Sequence, residues 1–166
     1  KKYTDKIFTR TNNPMLNVNK NFGFTKTTCD WILSLDADER VTAELKLEIE
    51  SVVSRPPLVV GYWIPMKNII FGKWMRHTGW YPDHQLRLFK RGKGKFPEEH
   101  VHEMIKVDGE TGHLSGHIEH YNYETVSQFL HKLDYIYTPN EAEVMLKKGY
   151  QFNWRDVLGM PAKEFI

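Results

Sequence analysis

A short apolar run, Trp31-Ile32-Leu33-Ser34-Leu35, passes without a break into Asp36-Ala37-Asp38-Glu39, and this junction limits the available folds more than any other segment. Five residues are too few for a helix. A continuous apolar run of that length reads as a strand covered on both faces, as inside a sheet flanked by helices. Two carboxylates one residue apart, leaving such a strand, repel each other where little water can screen them, so they call for a counter-ion. In open α/β sheets ligands gather beyond the carboxyl ends of the strands. A hard divalent cation bridging a diphosphate takes oxygen ligands of this kind. The same acids also suit a solvated turn that leads into the next helix, and the motif alone does not separate the two. No acid or glycine follows at the positions an EF-hand loop requires.

The flanks supply the rest of an α/β pattern. Lys6-Ile7-Phe8-Thr9 reads as a strand, and Asn12-Asn13-Pro14 as a breaker before a helix with Met15, Val18, Phe22 and Thr25 at helical spacing. Thr42 caps a second helix whose apolar stripe is Leu45, Ile49, Val52 and Val53, and Arg55-Pro56-Pro57 ends it. A strand from Val59 to Met66 follows. This alternation favours a parallel sheet with helices on its faces. The second half has short strand-like pieces (Gln85 to Phe89, Val101 to Val107, Gly116 to Tyr121), then a helix from Glu124 to Tyr137, interrupted at Thr138-Pro139-Asn140 and resuming to Lys148. Between Trp74 and Tyr81, punctuation by Gly79 and Pro82 predicts a substrate-lining loop rather than a strand.

With 166 residues the chain is long enough for one core, and a formal charge of +2 is too small for a general polyanion binder. Nucleic acid is therefore not an expected partner, although Arg87, Lys90, Arg91, Lys93 and Lys95 form a local basic cluster. A single cysteine, Cys29, excludes an internal disulfide and reads as a buried packing residue. No apolar run approaches the ~20 residues that span a bilayer. Five of the eight histidines, His100, His102, His113, His117 and His120, lie close together. On a strand from Gly116, His120 shares a face with Ile118 and can reach the sheet's ligand edge. Glu103, beside His102 in an apolar stretch, suits a general base, and equally an ion pair with Lys106 or Arg87.

Taken together, Asp30-Trp31-Ile32-Leu33-Ser34-Leu35-Asp36-Ala37-Asp38-Glu39-Arg40 resembles the metal-site segment of family-2 glycosyltransferases with the GT-A fold. Gly79-Trp80-Tyr81-Pro82-Asp83, Gln85-Leu86-Arg87-Leu88-Phe89, Val101-His102-Glu103 and Ile118-Glu119-His120-Tyr121 are similar to segments of one branch, the bacterial lipopolysaccharide-core glucosyltransferases. The resemblance implies an α/β, GT-A-like three-layer sheet with flanking helices, truncated at its amino end. Residues 1–66 would form a βα part and 67–166 an acceptor-side part with carboxyl-terminal helices. It implies that Asp36, Asp38 and His120 hold Mg²⁺ or Mn²⁺, that Asp36 also approaches the donor ribose, and that Gln85 and Arg87 lie near the donor diphosphate. Glu103 would be the catalytic base, and Gly79, Trp80 and Tyr81 would border the acceptor, with Trp74 a further ring for stacking on sugar faces.

The implied reaction is an inverting transfer from a nucleotide-sugar to a glycan or lipid-linked glycan, at the cytoplasmic face of the bacterial inner membrane. The final segment, with Trp154, Val157, Leu158, Met160, Phe165 and Ile166 beside Arg155 and Lys163, has the mix of a peripheral membrane contact and equally of a helix packed on the domain. Two other classes stay open on the residues: a non-catalytic carbohydrate-binding module, which needs the aromatic loop but not the acids, and a metal-dependent hydrolase.

Overall fold

A computed structural model of the chain describes residues 4–10, 16–77, 79–98, 103–151 and 153–155. Two compact units result, Lys1–Glu124 and Thr125–Ile166. In the first, a helix α1 (Leu16–Thr25) precedes the short strands β1 (Trp31–Leu33) and β2 (Glu39–Val41), and α2 (Ala43–Val53) leads to the long strand β3 (Gly61–Ile70). β4 (Lys73–Trp74), β5 (Asp83–Lys90), β6 (Gly94–Lys95), β7 (Lys106–Val107), β8 (Thr111–His113) and β9 (Ile118–Tyr123) complete it.

The main sheet runs β1-β5-β3-β9-β2. β3 is its axis: β5 and β4 lie antiparallel along one edge, β8 and β9 parallel along the other. The sheet is therefore mixed, not parallel as the alternation of elements suggests, because β5 returns antiparallel between β1 and β3. The boundary expected after residue 66 falls inside β3. No strand forms at Lys6–Thr9, where Ile7 and Phe8 are exposed; Phe8 instead meets Phe22 edge-on.

Alternation along β3 divides the core between two faces. Ile64 and Met66, with Leu88, Leu114 and Ile118, pack against Leu45 of α2, and the stripe Ile49, Val52 and Val53 lies against them as predicted. Thr42 caps α2 by accepting the N–H of Leu45. The other cluster gathers Ile32, Leu86, Phe89, Phe96 and Ile105, with Phe24 of α1 and Trp63 of β3 beside it. Helix, sheet and helix thus form three layers.

α1 faces the sheet differently from its apolar spacing. Its inward line is Asn17, Lys20, Asn21 and Phe24, not Val18 and Phe22. Asn21 both donates to the carbonyl of Phe96 and accepts its N–H, as a strand partner would, and Phe24 packs edge-on to Phe89. The polar line wins because it meets Glu103, the backbone of Phe96 and Asp36, polar groups that would otherwise lose their partners.

α2 is held to the bend between β8 and β9 by a close approach. Glu48 accepts the N–H groups of Ser115 and Gly116. A Cβ on Gly116 would lie 2.5 Å from Leu45 Cα, and helix backbone cannot yield as a side chain does. Gly116→Ala is expected to cost about 1–3 kcal/mol, read as a lowered melting temperature; an unchanged one would mean that α2 slides freely over this turn.

Three further expectations are corrected. Cys29 is exposed, in the bend before β1. Trp74 is in a strand: Phe71 and Gly72, at φ 51° and 74°, make a two-residue turn that pairs β4 back onto β3. In the second unit α3 (Val126–Lys132) continues through a π-helical turn, Leu133–Tyr137, into α4 (Thr138–Lys147). The helix is not interrupted at Pro139, because the wider turn just before it accommodates a residue that lacks an N–H. No helix among the described residues is long and apolar enough to cross a membrane. Val157 to Ile166, where a membrane contact was expected, lie outside the described residues, as do His100 and His102.

Candidate active site

The acidic junction leaves β1 as anticipated and closes into a turn. The N–H of Glu39 donates to the carbonyl of Asp36, and the N–H of Asp36 donates to Oε2 of Glu39. Strand β2 then carries Glu39 inward, where its side chain is about 1% exposed. Opposite it, the β3–β5 ladder passes from Tyr62↔Leu88 to Trp63↔Leu86 and skips Arg87, so β5 bulges there. The carbonyl of Arg87 accepts from Ser34 of the strand end, and its guanidinium turns toward the acids. Nη2 donates to Glu39 Oε1 and lies 3.4 Å from Asp36 Oδ2. Lys20 of α1 reaches Asp36 Oδ1 at 2.7 Å.

The two carboxyls on Arg87 respond differently. Burial pushes Asp36 up, but Lys20 and Arg87 together outweigh it and hold the group below its ordinary value. Burial pushes Glu39 up and prevails, even against Arg87 and the Asp36 N–H, because the group is deeper and has the Asp36 carboxylate beside it.

A cavity of about 310 Å³ opens next to this cluster. Asp36, Gln85, Arg87, Glu103 and His120 line it, together with Asn17 and Lys20 of α1. Five of the predicted site residues, from four separate stretches of chain, therefore meet at one place. Gln85 is steadied by Asp83, its neighbour on the same strand face, at 2.8 Å. Glu103 lies in irregular chain before β7, not in a strand, and its carboxylate takes a 2.9 Å hydrogen bond from the Asn17 amide rather than pairing with Lys106 or Arg87.

Asp38 and His120 stand side by side just beyond the junction. Residue pairing sets Glu39 opposite His120, and the N–H of Tyr121 donates to the carbonyl of Asp38. Asp38 Oδ2 comes within 3.6 Å of His120 Nε2. Asp36 is turned away to Lys20 and Arg87, and among the described residues no three His, Cys, Asp or Glu side chains converge on one point.

Gly79, Trp80 and Tyr81, expected to border an acceptor, are not among the residues lining this cavity. Gly79 takes φ 78°, and Tyr81–Pro82 is a cis peptide. Tyr81 packs on His117, with its hydroxyl 2.9 Å from His117 Nε2. Trp74 has Arg76 and Lys67 over its ring, at 4.2 and 5.3 Å from the centroid, and Tyr81 perpendicular to it.

Residues 2–108 match the family model described as glycosyl transferase family 2. The chain belongs to that family. The matched segment contains the acidic junction, Arg87 and Glu103, while His120 lies beyond it. The lipopolysaccharide core biosynthesis glycosyltransferase LpsC of Rhizobium meliloti (strain 1021) is 23% identical over 154 residues, covering 89% of this chain and 55% of that protein. The chain thus spans about half the length of that curated relative.

Two residues of this family-2 chain escaped the sequence reading. Glu39 follows Asp38 directly, but its partner Arg87 is 48 positions away. Asn17 is one polar residue among several on α1, and only its burial, at 3% exposed, marks it. The sparse apolar stripe of that helix, Val18 and Phe22 among asparagines and lysines, was the signal the sequence offered.

Proposed function

We propose that this chain supplies the metal-binding and acceptor-side part of a glycosyltransferase that inverts configuration as it moves a sugar from a nucleotide-sugar donor to a glycan or lipid-linked glycan. The supporting observation is the convergence of Asp36, Gln85, Arg87, Glu103 and His120 on one cavity. Lipopolysaccharide core as the acceptor rests on the similarity to LpsC.

Glu103 removes the proton of the acceptor hydroxyl while that oxygen attacks the anomeric carbon from the face opposite the leaving group. The new C–O bond forms as the bond to the diphosphate breaks, the proton ends on the Glu103 carboxylate, and a nucleoside diphosphate leaves. Arg87 and Gln85 face the diphosphate side of the cavity, with Asp36 toward the donor ribose. Arg87's planar fork suits phosphate oxygens. Gly79, Trp80 and Tyr81 border the acceptor.

Asp38 and His120 fit a hard cation such as Mg²⁺ or Mn²⁺. Their 3.6 Å separation is too long for a hydrogen bond, yet lies within the ~4.2 Å that two ligands at about 2.1 Å from one ion can span. Asp36 would join them by releasing Lys20. When bound, the ion supplies Lewis-acid stabilisation of the leaving diphosphate.

Calorimetric titration with Mn²⁺, with and without a nucleoside diphosphate, tests this reading. Diphosphate-dependent Mn²⁺ binding is expected, and Asp38→Ala is expected to abolish it, since it leaves only a neutral imidazole and an Asp36 carboxylate already paired with Lys20 and Arg87. Binding of Mn²⁺ indifferent to diphosphate would favour a hydrolase, and binding of neither a carbohydrate-binding module. Affinity unchanged in Asp38→Ala would remove that residue from the site.

A further inference from the structure

Asn68 has no part in the chemistry above, yet it is 2% exposed in the middle of β3. It pairs across the parallel ladder with His120, immediately before a register shift that precedes Ile70↔Tyr123. Its side chain makes two hydrogen bonds whose directions are forced. Nδ2 lies 3.1 Å from the carbonyl oxygen of Trp80. A carbonyl can only accept, so the amide must present its NH₂ there, and this fixes which end is oxygen. Oδ1 then faces His120 Nδ1 at 2.8 Å. An amide oxygen can only accept, so Nδ1 must carry the hydrogen. In the neutral ring Nε2 is left with its lone pair, and Nε2 is the atom 3.6 Å from Asp38 Oδ2. The main chain of Asn68 adds a third bond, its carbonyl accepting the N–H of Met75 at 3.0 Å. One residue therefore orients His120 and anchors the Met75–Trp80 segment at both ends.

We propose that Asn68 is a positioning residue that locks His120 in the Nδ1-protonated form, with the Nε2 lone pair beside Asp38, and couples that lock to the placement of the Trp80 loop. The consequence for metal affinity rests on the reading of His120 and Asp38 as cation ligands; the tautomer itself does not. A ligand imidazole whose other nitrogen donates to a fixed acceptor is held in the orientation and form that binding needs. Because the same amide grips the loop, movement of Trp80 would be felt at His120.

The test is the tautomer of His120, read by long-range ¹⁵N–¹H correlation of the imidazole at a pH well above the ordinary histidine value of about 6.5. The native protein is expected to show protonated Nδ1 and bare Nε2. Asn68→Ala is expected to shift the ring toward the Nε2-protonated form, which an unrestrained histidine prefers, and to weaken Mn²⁺ binding by about 10–100-fold. Asn68→Asp separates the two halves of the proposal. Its carboxylate still accepts from Nδ1 and keeps the tautomer, but it cannot donate to Trp80, so the Trp80 indole resonance should move while the His120 ring does not. Protonated Nε2 in the native protein would overturn the lock, whatever the variants do. A Trp80 resonance unmoved in Asn68→Asp would overturn the coupling. If the native chain showed the expected tautomer but bound no Mn²⁺, the metal reading would fall and the positioning role of Asn68 would stand.

Discussion

Glu103→Gln, in a chain that turns over donor and acceptor, is expected to lower kcat by ~10²–10⁴-fold while donor affinity stays close to native. The substitution is nearly isosteric and removes only the capacity to take a proton. The Asn17 amide can still donate to the side-chain oxygen, as it does to Glu103 at 2.9 Å, so the local structure should persist. Because the acceptor proton moves only as the new bond forms, the loss belongs to the transition state and appears in kcat and kcat/KM alike. Each factor of ten corresponds to about 1.4 kcal/mol of barrier, so the expected loss is well outside the scatter of a surface substitution. A fall in yield or melting temperature with kcat preserved would make Glu103 a structural partner of α1 and place the base elsewhere.

The residues that sequence reading found best are those whose role depends on near neighbours. The run from Trp31 into Asp36 needs only local apolarity and a change of charge, and its placement at a strand end followed. Thr42 and the stripe from Leu45 to Val53 follow from helical spacing alone. His120 was reachable through strand alternation, since Ile118 is buried in the core and the residue two further on lines the cavity. What stayed hidden depends on distant partners. The mixed direction of the sheet comes from β5 inserting between β1 and β3, which no local pattern encodes. Arg87 turns inward because the ladder skips it, a bulge set by two strands at once. The inward face of α1 departs from its apolar spacing for a similar reason: Asn17 and Asn21 are poor core residues by composition, and become good ones only opposite Glu103 and the backbone of Phe96. Asn68 gives no sign at all, because the two partners of its side chain, Trp80 and His120, are 12 and 52 positions away.

Glu39→Ala is expected to destabilise the fold by about 3 kcal/mol, although Glu39 does not line the cavity. Its side chain is about 1% exposed and its partner Arg87 about 12%. Truncation leaves a guanidinium out of water without its nearest carboxylate. Breaking a buried pair in this way typically costs ~3–5 kcal/mol. The lower end applies here, because Asp36 Oδ2 remains 3.4 Å from the same Nη2. The variant also removes the acceptor of the Asp36 N–H, so the turn that presents Asp36 and Asp38 loses its inner hydrogen bond. Denaturant unfolding should show a lower midpoint with an unchanged slope. The double variant Glu39→Leu with Arg87→Met separates the charge effect from the loss of volume: two apolar residues of similar size often match a buried pair in stability, so most of the lost free energy should return. Metal and diphosphate binding should not return with it, since the double variant has neither the guanidinium nor the clasp on Asp36. Asp36→Ala is the contrast. Its side chain is 35% exposed to solvent, its pairs with Lys20 and Arg87 are screened, and a stability loss of no more than about 1 kcal/mol is expected. If Glu39→Ala cost no more than Asp36→Ala, Asp36 alone would suffice to satisfy Arg87, and the buried carboxylate would have no role in shaping the site.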